Sequence, residues 1–368
     1  MKKILCEFYP FEKEYFSRLW KEAIIISDAN ILLNLYYYSR KTSKELISIL
    51  DKFSERLWIP YQIALEYQKN RLSKIRVQKE SYNSLRKSIQ DEINAIKKRL
   101  DDKYSKHPLL EVSKIKIILD KSFKDIEQYL NDTRDNHPDW EKNDEIRNDL
   151  DKLFEDKVSM PYSRDRLKEI YEIGYYRYEN KIPPGFGDDK KDKERKYGDL
   201  IIWLDIIEKA KKEKKSVIFI NDEKKEDWWQ KDNNNLIPRY ELIGEIKNEA
   251  NASFYMYSAE DFMKYSYKFL NQTPKISVIN EVRTFREFAN FLENVKLQNE
   301  ALARIGTIAS IPLIDSSLAE AITRIPKTSS IISKSFPKNN IKTNRLIEDN
   351  KNTNKTIEKN KNSNKKEK

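Results

Sequence analysis

The sequence predicts an α/β protein, in which helices alternate with the strands of a parallel sheet and a long helical hairpin is inserted between two of those strands. Two observations carry this prediction. Short apolar runs rich in β-branched residues are followed by apolar residues at helical spacing, which is the strand–helix order of a parallel sheet. Between them lies a charged stretch of about one hundred residues with two apolar seams of matching spacing.

The first strand–helix unit contains the most informative acid of the chain. Residues 23–26 form an apolar, β-branched run that predicts a strand buried on both faces. Asp28 follows this run, and Asn30 lies between it and a predicted helix. A carboxylate at the end of a central strand lies where open α/β sheets bind ligands. Since Asp is also a favoured helix N-cap, the stretch alone leaves two interpretations of Asp28 open: a ligand-binding acid or a cap.

A second strand–helix unit follows directly. Residues 57–59 are predicted to form a strand. Because proline is well tolerated in the first turn of a helix, a helix is predicted to begin at Pro60. Glu66 lies in its second turn, and Asn70 lies one turn further along the same face. The apolar neighbours of Glu66 make a purely solvated role for this carboxylate less favoured.

Two charged helices with apolar seams predict the hairpin. The seam residues of the first helix are Tyr82, Leu85, Ile89, Ile93, Ile96 and Leu100. Those of the second helix are Val112, Ile115, Leu119, Phe123, Ile126 and Leu130. Both seams step by three or four residues, as coiled-coil heptads do, and a break at residues 106–108 separates them. We therefore expect an antiparallel helical hairpin within an insertion at about residues 72–180.

Sheet-forming patterns return after a charged, glycine-containing loop at residues 181–198, a loop type that often carries function. This loop contains Asp188 and Asp189. Asp199 then lies at the start of a predicted helix, while Asp205, six residues later, is expected to face solvent on another side of that helix.

The strongest strand prediction of the chain is the apolar run at residues 217–220. It ends in Asn221, Asp222 and Glu223, and so repeats the design of the first unit. Asp227 lies shortly beyond it. A last strand at residues 253–257 leads into a helix that begins with a capping pattern.

The acids at these strand and helix ends are expected to meet. In a parallel sheet with right-handed crossovers, the ends of the strands lie at one edge. Carboxylates brought together repel one another unless a cation lies among them. A hard divalent cation with oxygen ligands, Mg²⁺ or Mn²⁺, is the natural one. Such a site activates water for phosphodiester hydrolysis without a Cys or His nucleophile.

The chain resembles PIN-like domain proteins, and specifically a bacterial branch of them. An aromatic lead-in and five ordered motifs carry the resemblance: DxNxLLNLYxYS at 28–39, the Pro-preceded helix with its Glu at 60–71, PPG at 183–185, YGDLIIW at 197–203, and KKEDWW at 224–229. The resemblance implies an α/β/α sandwich around a parallel sheet. It also implies a metal-dependent ribonuclease directed at single strands, of the kind found in toxins, RNA processing or phage defence.

Carried over by position, the resemblance implies that Asp28, Glu66, Asp199 and Asp222 are the catalytic, metal-binding acids. One departure matters, because such domains usually show Ser or Thr, one residue and then Asp at the last strand end. Since this chain has Asp222 followed by Glu223, either acid is a candidate for the fourth ligand. The secondary candidates are Asn30, Asn70, Asp188, Asp189 and Asp227, the last as a residue that acts through a ligand.

Composition sets limits on class and location. The formal net charge is +11, and residues 334–368 carry +7 of it, with eleven Lys or Arg and four Asp or Glu. The single Cys6 excludes an intrachain disulfide framework. Because the sequence shows no signal-peptide core and no membrane-spanning apolar run, we expect a cytoplasmic protein without membrane contact.

The predicted organisation is a PIN-like nuclease domain at residues 7–270, a small helical extension at 271–330 and a disordered Lys- and Asn-rich tail at 331–368. The expected partner is a nucleic acid, RNA in preference to DNA. The alternative prediction is a catalytically inactive PIN-like scaffold, in which the hairpin binds a protein partner, nucleic acid or a second copy of the chain.

Overall fold

A computed structural model of the chain describes residues 1, 5–9, 11–188, 193–232 and 235–289. All of them belong to one compact unit that spans residues 1 to 307. The strands are, in chain order, β1 (Ile24–Ser27), β2 (Val217–Ile220), β3 (Trp229–Asp232), β4 (Asn235–Pro238) and β5 (Phe254–Tyr257). The helices with both ends described are α1 (Lys13–Glu22), α2 (Ala29–Asn34), α3 (Arg40–Asp51), α4 (Tyr61–Tyr104), α5 (Val112–Asp135), α6 (Glu145–Leu153), α7 (Arg164–Glu179), α8 (Gly198–Glu213), α9 (Tyr240–Ala250) and α10 (Ala259–Phe269).

The central sheet is parallel, as the sequence predicts, with the strand order β1–β2–β5. In register, Ser27 of β1 lies opposite Ile220 of β2. Beyond β1 the sheet continues through two single parallel bridges, Ile25 to Leu57 and Ile59 to Val158. The run at residues 57–59 therefore joins the sheet as bridges rather than as the full strand expected. β3 and β4 form a separate antiparallel hairpin that the sequence reading did not include.

Helices cover both faces of the sheet. As a consequence, every residue of β1 and β2 is buried. On one face the ring of Phe254 lies 5.0 Å from that of Trp203 in α8. On the other face the ring of Tyr257 lies 5.4 Å from that of Trp20 in α1. Since strand residues at odd spacing point to opposite faces, these contacts define an α/β/α sandwich, which confirms the predicted fold class.

The predicted hairpin is present, but its first arm starts earlier than expected. α4 is one helix of 44 residues, so the helix that carries Glu66 continues without a break into the insertion. α5 packs against it in the antiparallel direction. Arg86 pairs with Glu127, and further along α4 Lys97 pairs with Asp120. The first arm of the hairpin is therefore a continuous extension of the helix that carries Glu66.

A buried polar network fixes the root of this hairpin on the sandwich. The carboxylate of Asp144, at the N-cap of α6, pairs with Arg71 of α4 and accepts a hydrogen bond from Tyr36 at 2.8 Å. Tyr36 and Tyr67 share a further hydrogen bond of 2.9 Å. Because these groups are largely buried and bonded to one another, they hold the first turns of α4, including Glu66, beside α2.

Beyond α10, residues 276–289 are helical and pack on the first strand–helix unit. The carboxylate of Glu281 accepts hydrogen bonds from Ser39 Oγ at 2.8 Å and from Thr42 Oγ1 at 2.7 Å. The rest of the expected extension and the expected tail lie outside the described residues, and the domain boundaries stay predictions. None of the helices that the structure describes combines the length and apolarity needed to cross a membrane.

Candidate active site

Asp28 lies at the end of β1 and is buried. Its backbone N–H donates to Ile220 O at 3.0 Å, which ties the end of β1 to the end of β2. Its carboxylate accepts the Asn30 N–H at 3.4 Å, so Asp28 is the N-cap of α2. Burial, followed by the nearby charges of Glu223, Glu66 and Asp199, raises the pKa of Asp28 well above its ordinary value. Asp28 is therefore both a cap and a member of a carboxylate cluster.

Glu66 reaches the same cluster from α4. Its Oε1 accepts a hydrogen bond from Gln62 one turn earlier, at 2.7 Å. The same oxygen lies 3.1 Å from the position that a Cβ on Gly198 would take. Glu66 thus packs against the first residue of α8, next to Asp199, and a larger residue at position 198 would push it away. Asn70, one turn further along α4, is exposed.

Asp199 and Glu223 meet at a lysine that the sequence reading did not identify. The Nζ of Lys225 lies 3.0 Å from Glu223 Oε2, 3.1 Å from Asp188 Oδ2 and 3.3 Å from Asp199 Oδ2. Burial would lower the pKa of Lys225, but these three carboxylates raise it above its ordinary value, so the ammonium stays charged. Burial raises the pKa of Asp199, and the positive charge of Lys225 acts in the opposite direction.

Glu223 is also held from the side of β1. The Nδ2 of Asn30 donates to Glu223 Oε1 at 2.5 Å. The backbone N–H of Glu223 donates to Asn221 Oδ1 at 2.8 Å, which is an Asx-type turn after β2. This turn orients Glu223 toward Asp28 and Asn30. Of the two candidates for the fourth acid, Glu223 is the one whose side chain lies with Asp28, Glu66 and Asp199.

Asp222 faces elsewhere. Its Oδ1 accepts the backbone N–H of Ala259, the first residue of α10, at 2.9 Å. Burial raises the pKa of Asp222 to about 6, and the charges nearest to it are those of Arg286, Asp261 and Glu260. The structure does not bring Asp222 into the carboxylate cluster. The register explains this, because Asn221 lies level with Asp28 and Asp222, one residue later, points to the other side.

Asp227 organises the glycine loop rather than the cluster. It is fully buried, and its Oδ2 accepts the N–H groups of Gly185 and Gly187, each at 3.0 Å. Gly185 has a φ of +93°, a conformation that side-chain-bearing residues rarely adopt. Asp188, which ends this loop, is buried and contacts Lys225. Asp189 lies outside the described residues.

The expectation that Asp205 is simply solvated is wrong. Its Oδ2 accepts a hydrogen bond from Ser159 Oγ at 2.6 Å, and burial raises its pKa to about 6. Ser159 follows the residue that bridges to Ile59 at the far end of the sheet. Asp205 therefore makes a structural contact away from the cluster, as its angular position on α8 predicts.

Together, four chain segments bring Asp28, Glu66, Asp199 and Glu223 to the end of the parallel sheet, with Asp188 adjoining. Among the described residues, no three acidic, histidine or cysteine side chains are already arranged to ligate one ion. Lys225, which stands between three of the carboxylates, was missed because a lysine in a run of charges gives no sequence signal of burial. The only sequence feature that could have indicated a role for Lys225 in the site is its position two residues after Glu223.

Searches of curated proteins and of solved structures give no significant match. A family model does match, over residues 24–242, which is more than half of the chain. This range includes β1, β2 and every acid of the cluster. The chain therefore belongs to the PIN like domain family, whose fold is of the nuclease type.

Proposed function

We propose that this chain is a Mg²⁺- or Mn²⁺-dependent endonuclease that hydrolyses phosphodiester bonds in single-stranded RNA. The observation that carries the proposal is the convergence of Asp28, Glu66, Asp199 and Glu223 at the carboxyl end of the parallel sheet. Burial, and after it the negative charges of Glu223, Glu66 and Asp199, keep the pKa of Asp28 well above its ordinary value. The ammonium group of Lys225 contacts the carboxylates of Asp199 and Glu223 in this cluster.

The donor chemistry fits a hard divalent cation, because all four side chains offer carboxylate oxygens. Ligation requires rotation of the longer side chains, Glu66 and Glu223, since the present arrangement does not close around one point. Both have the rotatable bonds for this, whereas Asp28 is fixed by its capping hydrogen bond. Asn30 directs Glu223 toward Asp28, and Gly198 leaves room for Glu66.

Each residue has a defined part in the proposed reaction. Asp28, Glu66, Asp199 and Glu223 would hold the cation. A bound divalent cation supplies Lewis-acid chemistry, polarising water and a phosphate oxygen. The side chain of Asn30 orients Glu223, and the burial of Asp28 strengthens the electrostatic interactions of its carboxylate relative to those in water.

The lining of a groove next to the cluster is the observation that favours a single-stranded substrate. It has a volume of about 1000 Å³ and reaches the cluster at Glu223. Aromatic and basic side chains line it, including Tyr255, Tyr265, Phe269, Lys13, Lys224 and Lys268. Unpaired bases stack on aromatic rings, and lysines contact phosphates without sequence preference. The choice of RNA over DNA rests on the family resemblance, since both polymers make such contacts.

The test is a cleavage assay on end-labelled single- and double-stranded RNA and DNA, with Mg²⁺ and Mn²⁺ titrated and a chelator as blank. We expect metal-dependent cleavage of single-stranded RNA that Asp28→Asn abolishes. Asp205→Asn is the matched control, because it makes the same chemical change at a half-buried acid outside the cluster. Equal cleavage by wild type and Asp28→Asn would identify a contaminating nuclease and refute the proposal.

A second candidate function, partner binding by the hairpin, is favoured by exposed apolar side chains. Leu109 at the tip is 87% exposed, and Ile117 and Tyr129 on α5 are each 67% exposed. Such side chains often mark interaction surfaces. On this alternative the chain is an inactive scaffold that pairs through the hairpin with a protein or a second copy. Sedimentation analysis tests the homodimer, which Ile117→Lys should dissociate; a wild-type monomer at all concentrations contradicts it.

A further inference from the structure

We propose that the groove next to the cluster binds unpaired nucleotides on one side of the cut, and that it does so for RNA and DNA alike. The inference rests on the proposed function and deepens it, because it assigns substrate binding to residues outside the acid set. The aromatic wall of the groove is formed by α1, β5 and α10. The family model covers residues 24–242, so these three elements lie outside its range.

Two aromatic side chains of α10 are exposed to solvent within this groove. Tyr265 is 46% exposed and Phe269 is 41% exposed, and both line the groove. They are four residues apart on one helix, so their side chains lie on the same helix face. A single exposed aromatic side chain is common on protein surfaces. Two of them on one face of a concave site provide neighbouring surfaces on which successive bases can stack.

Buried aromatic side chains hold these two rings in place. The centroid of the Tyr265 ring lies 5.2 Å from that of Tyr257 and 6.3 Å from that of Trp20. The centroid of the Phe269 ring lies 6.0 Å from that of Trp20. Trp20 is itself buried, and its Nε1 donates a hydrogen bond to the hydroxyl of Tyr257 at 3.0 Å. The stacking surface is therefore formed before a substrate binds, which lowers the entropic cost of binding.

The charges along the groove favour a strand that runs away from the cluster. The basic side chains that line it are Lys13, Lys224, Lys268 and Arg286. Asp222 and Glu223 follow β2, and Asp261 lies in the first turn of α10, so the lining acids gather at the end near the cluster. Lys268 is exposed in the last turn of α10, beside Phe269. The far part of the groove can therefore contact phosphates through an ammonium group.

The position of the groove implies that it binds nucleotides on one side of the cut. Among the described residues, the proposed metal ligand that lines it is Glu223. α10 begins at this end, because the neighbouring Asp222 accepts the Ala259 N–H. At about 1.5 Å per residue, Tyr265 and Phe269 lie about 9 Å and about 15 Å along α10 from Ala259. Nucleotides on one side of a phosphate at the cluster reach these rings, and nucleotides on the other side are directed away.

These contacts do not read the sugar. Every base can stack on an aromatic ring, and ammonium groups contact the phosphates of RNA and DNA alike. Single-stranded DNA should therefore occupy the groove and inhibit RNA cleavage competitively. Duplex DNA should compete far less, because its bases already stack on one another.

The first test is binding of fluorescently labelled single-stranded DNA to the full-length protein, measured by anisotropy with a chelator present. Tyr265→Leu and Phe269→Leu should each weaken binding by about 10-fold, the loss expected for one base–ring stack. Tyr176→Leu is the matched control, because Tyr176 is 64% exposed on α7 and does not line the groove. Elevated salt suppresses binding by the basic residues 334–368, which all variants share.

The second test needs no variant that could fail to fold. Wild-type protein cleaves single-stranded RNAs that each carry one abasic position, placed in turn on either side of the cut. We expect abasic positions on one side to raise KM with kcat unchanged, and those on the other side to leave KM unchanged. Equal effects on both sides would overturn the inference.

The inference and the proposed function fail in different ways. If the chain cleaves RNA while Tyr265→Leu and Phe269→Leu bind single-stranded DNA as tightly as wild type does, the function stands and the groove assignment falls. If wild type binds single-stranded DNA through these two side chains but cleaves no nucleic acid, the groove assignment stands and the function falls. Failure of wild type to bind single-stranded DNA would also overturn the groove assignment.

Discussion

Asp28 and Asp222 follow corresponding strands of the same sheet, yet the structure gives them different surroundings. Asp28 lies with Glu66, Asp199 and Glu223, and these charges add to burial in raising its pKa. Asp222 binds the N-terminus of α10, with Arg286 among its nearest charges. The two strands are level at Ser27 and Ile220, so one extra residue after β2 reverses the side-chain direction. Whether an acid at the end of a strand joins the cluster therefore depends on the register of that strand and on the turn that follows it, and not on the order of the acids in the chain.

The largest difference is expected between substitutions of the two neighbouring acids after β2, Asp222 and Glu223. Glu223→Gln should lower the rate of RNA cleavage by about 100-fold or more, because it removes a proposed ligand charge held by Asn30. Asp222→Asn should lower it far less, since the amide can still accept the Ala259 N–H. Single-turnover cleavage of both variants measures the difference. A larger loss for Asp222→Asn would reverse the assignment of the fourth acid.

A smaller effect is expected at Asn30, which orients Glu223 without being an acid. Asn30→Ala should weaken Mn²⁺ binding by about 10-fold, the usual loss when a ligand loses its hydrogen-bond partner. Calorimetric titration measures the binding, and Asn30→Asp serves as comparison because it replaces the donor by a repelling charge. Unchanged affinity in both variants would show that Glu223 needs no such support.

Asp28 and Asp222 should also differ in their effects on stability. In the metal-free protein at pH 7, Asp28→Asn should raise the free energy of unfolding by about 0.5–2 kcal/mol, the usual range for a stabilising substitution. The reason is that it removes one of several repelling buried charges while keeping an acceptor for the Asn30 N–H. Denaturant unfolding measures the change. A loss of stability would mean that the capping role of Asp28 outweighs the repulsion.

The smallest expected effect is a pH dependence at Asp222. Its pKa in the folded chain is about 6, above the ordinary 3.8, so the folded state binds the proton more tightly than the unfolded state. The associated stability is present below about pH 4 and is lost as pH rises through 6. Asp222→Asn should remove roughly 1 kcal/mol of this loss, allowing for partial exposure. Unfolding at pH 4 and pH 7 gives both values, and an unchanged slope contradicts the assignment.

Much of the fold could be predicted from the sequence because its signals are local. The run at residues 217–220 is apolar and bounded by polar residues, and the structure confirms it as strand β2 with the predicted bounds. Heptad-like seams indicated both arms of the hairpin. The β3–β4 hairpin was missed because its strands are short and show no alternating apolar pattern. β3 ends in the exposed Lys231 and Asp232, and β4 has Leu236 and Ile237 next to each other.

The sequence by itself determined the parallel sheet, the inserted hairpin and the set of acids at the sheet edge, because apolar periodicity and strand-end position depend on neighbours in the chain. Only the tertiary structure decided which acids meet. The Asx turn at Asn221 directs Glu223 into the cluster, α10 takes Asp222, and Lys225 reaches three carboxylates from three segments. These outcomes depend on side-chain direction and on contacts between distant segments, which spacing along the chain does not encode.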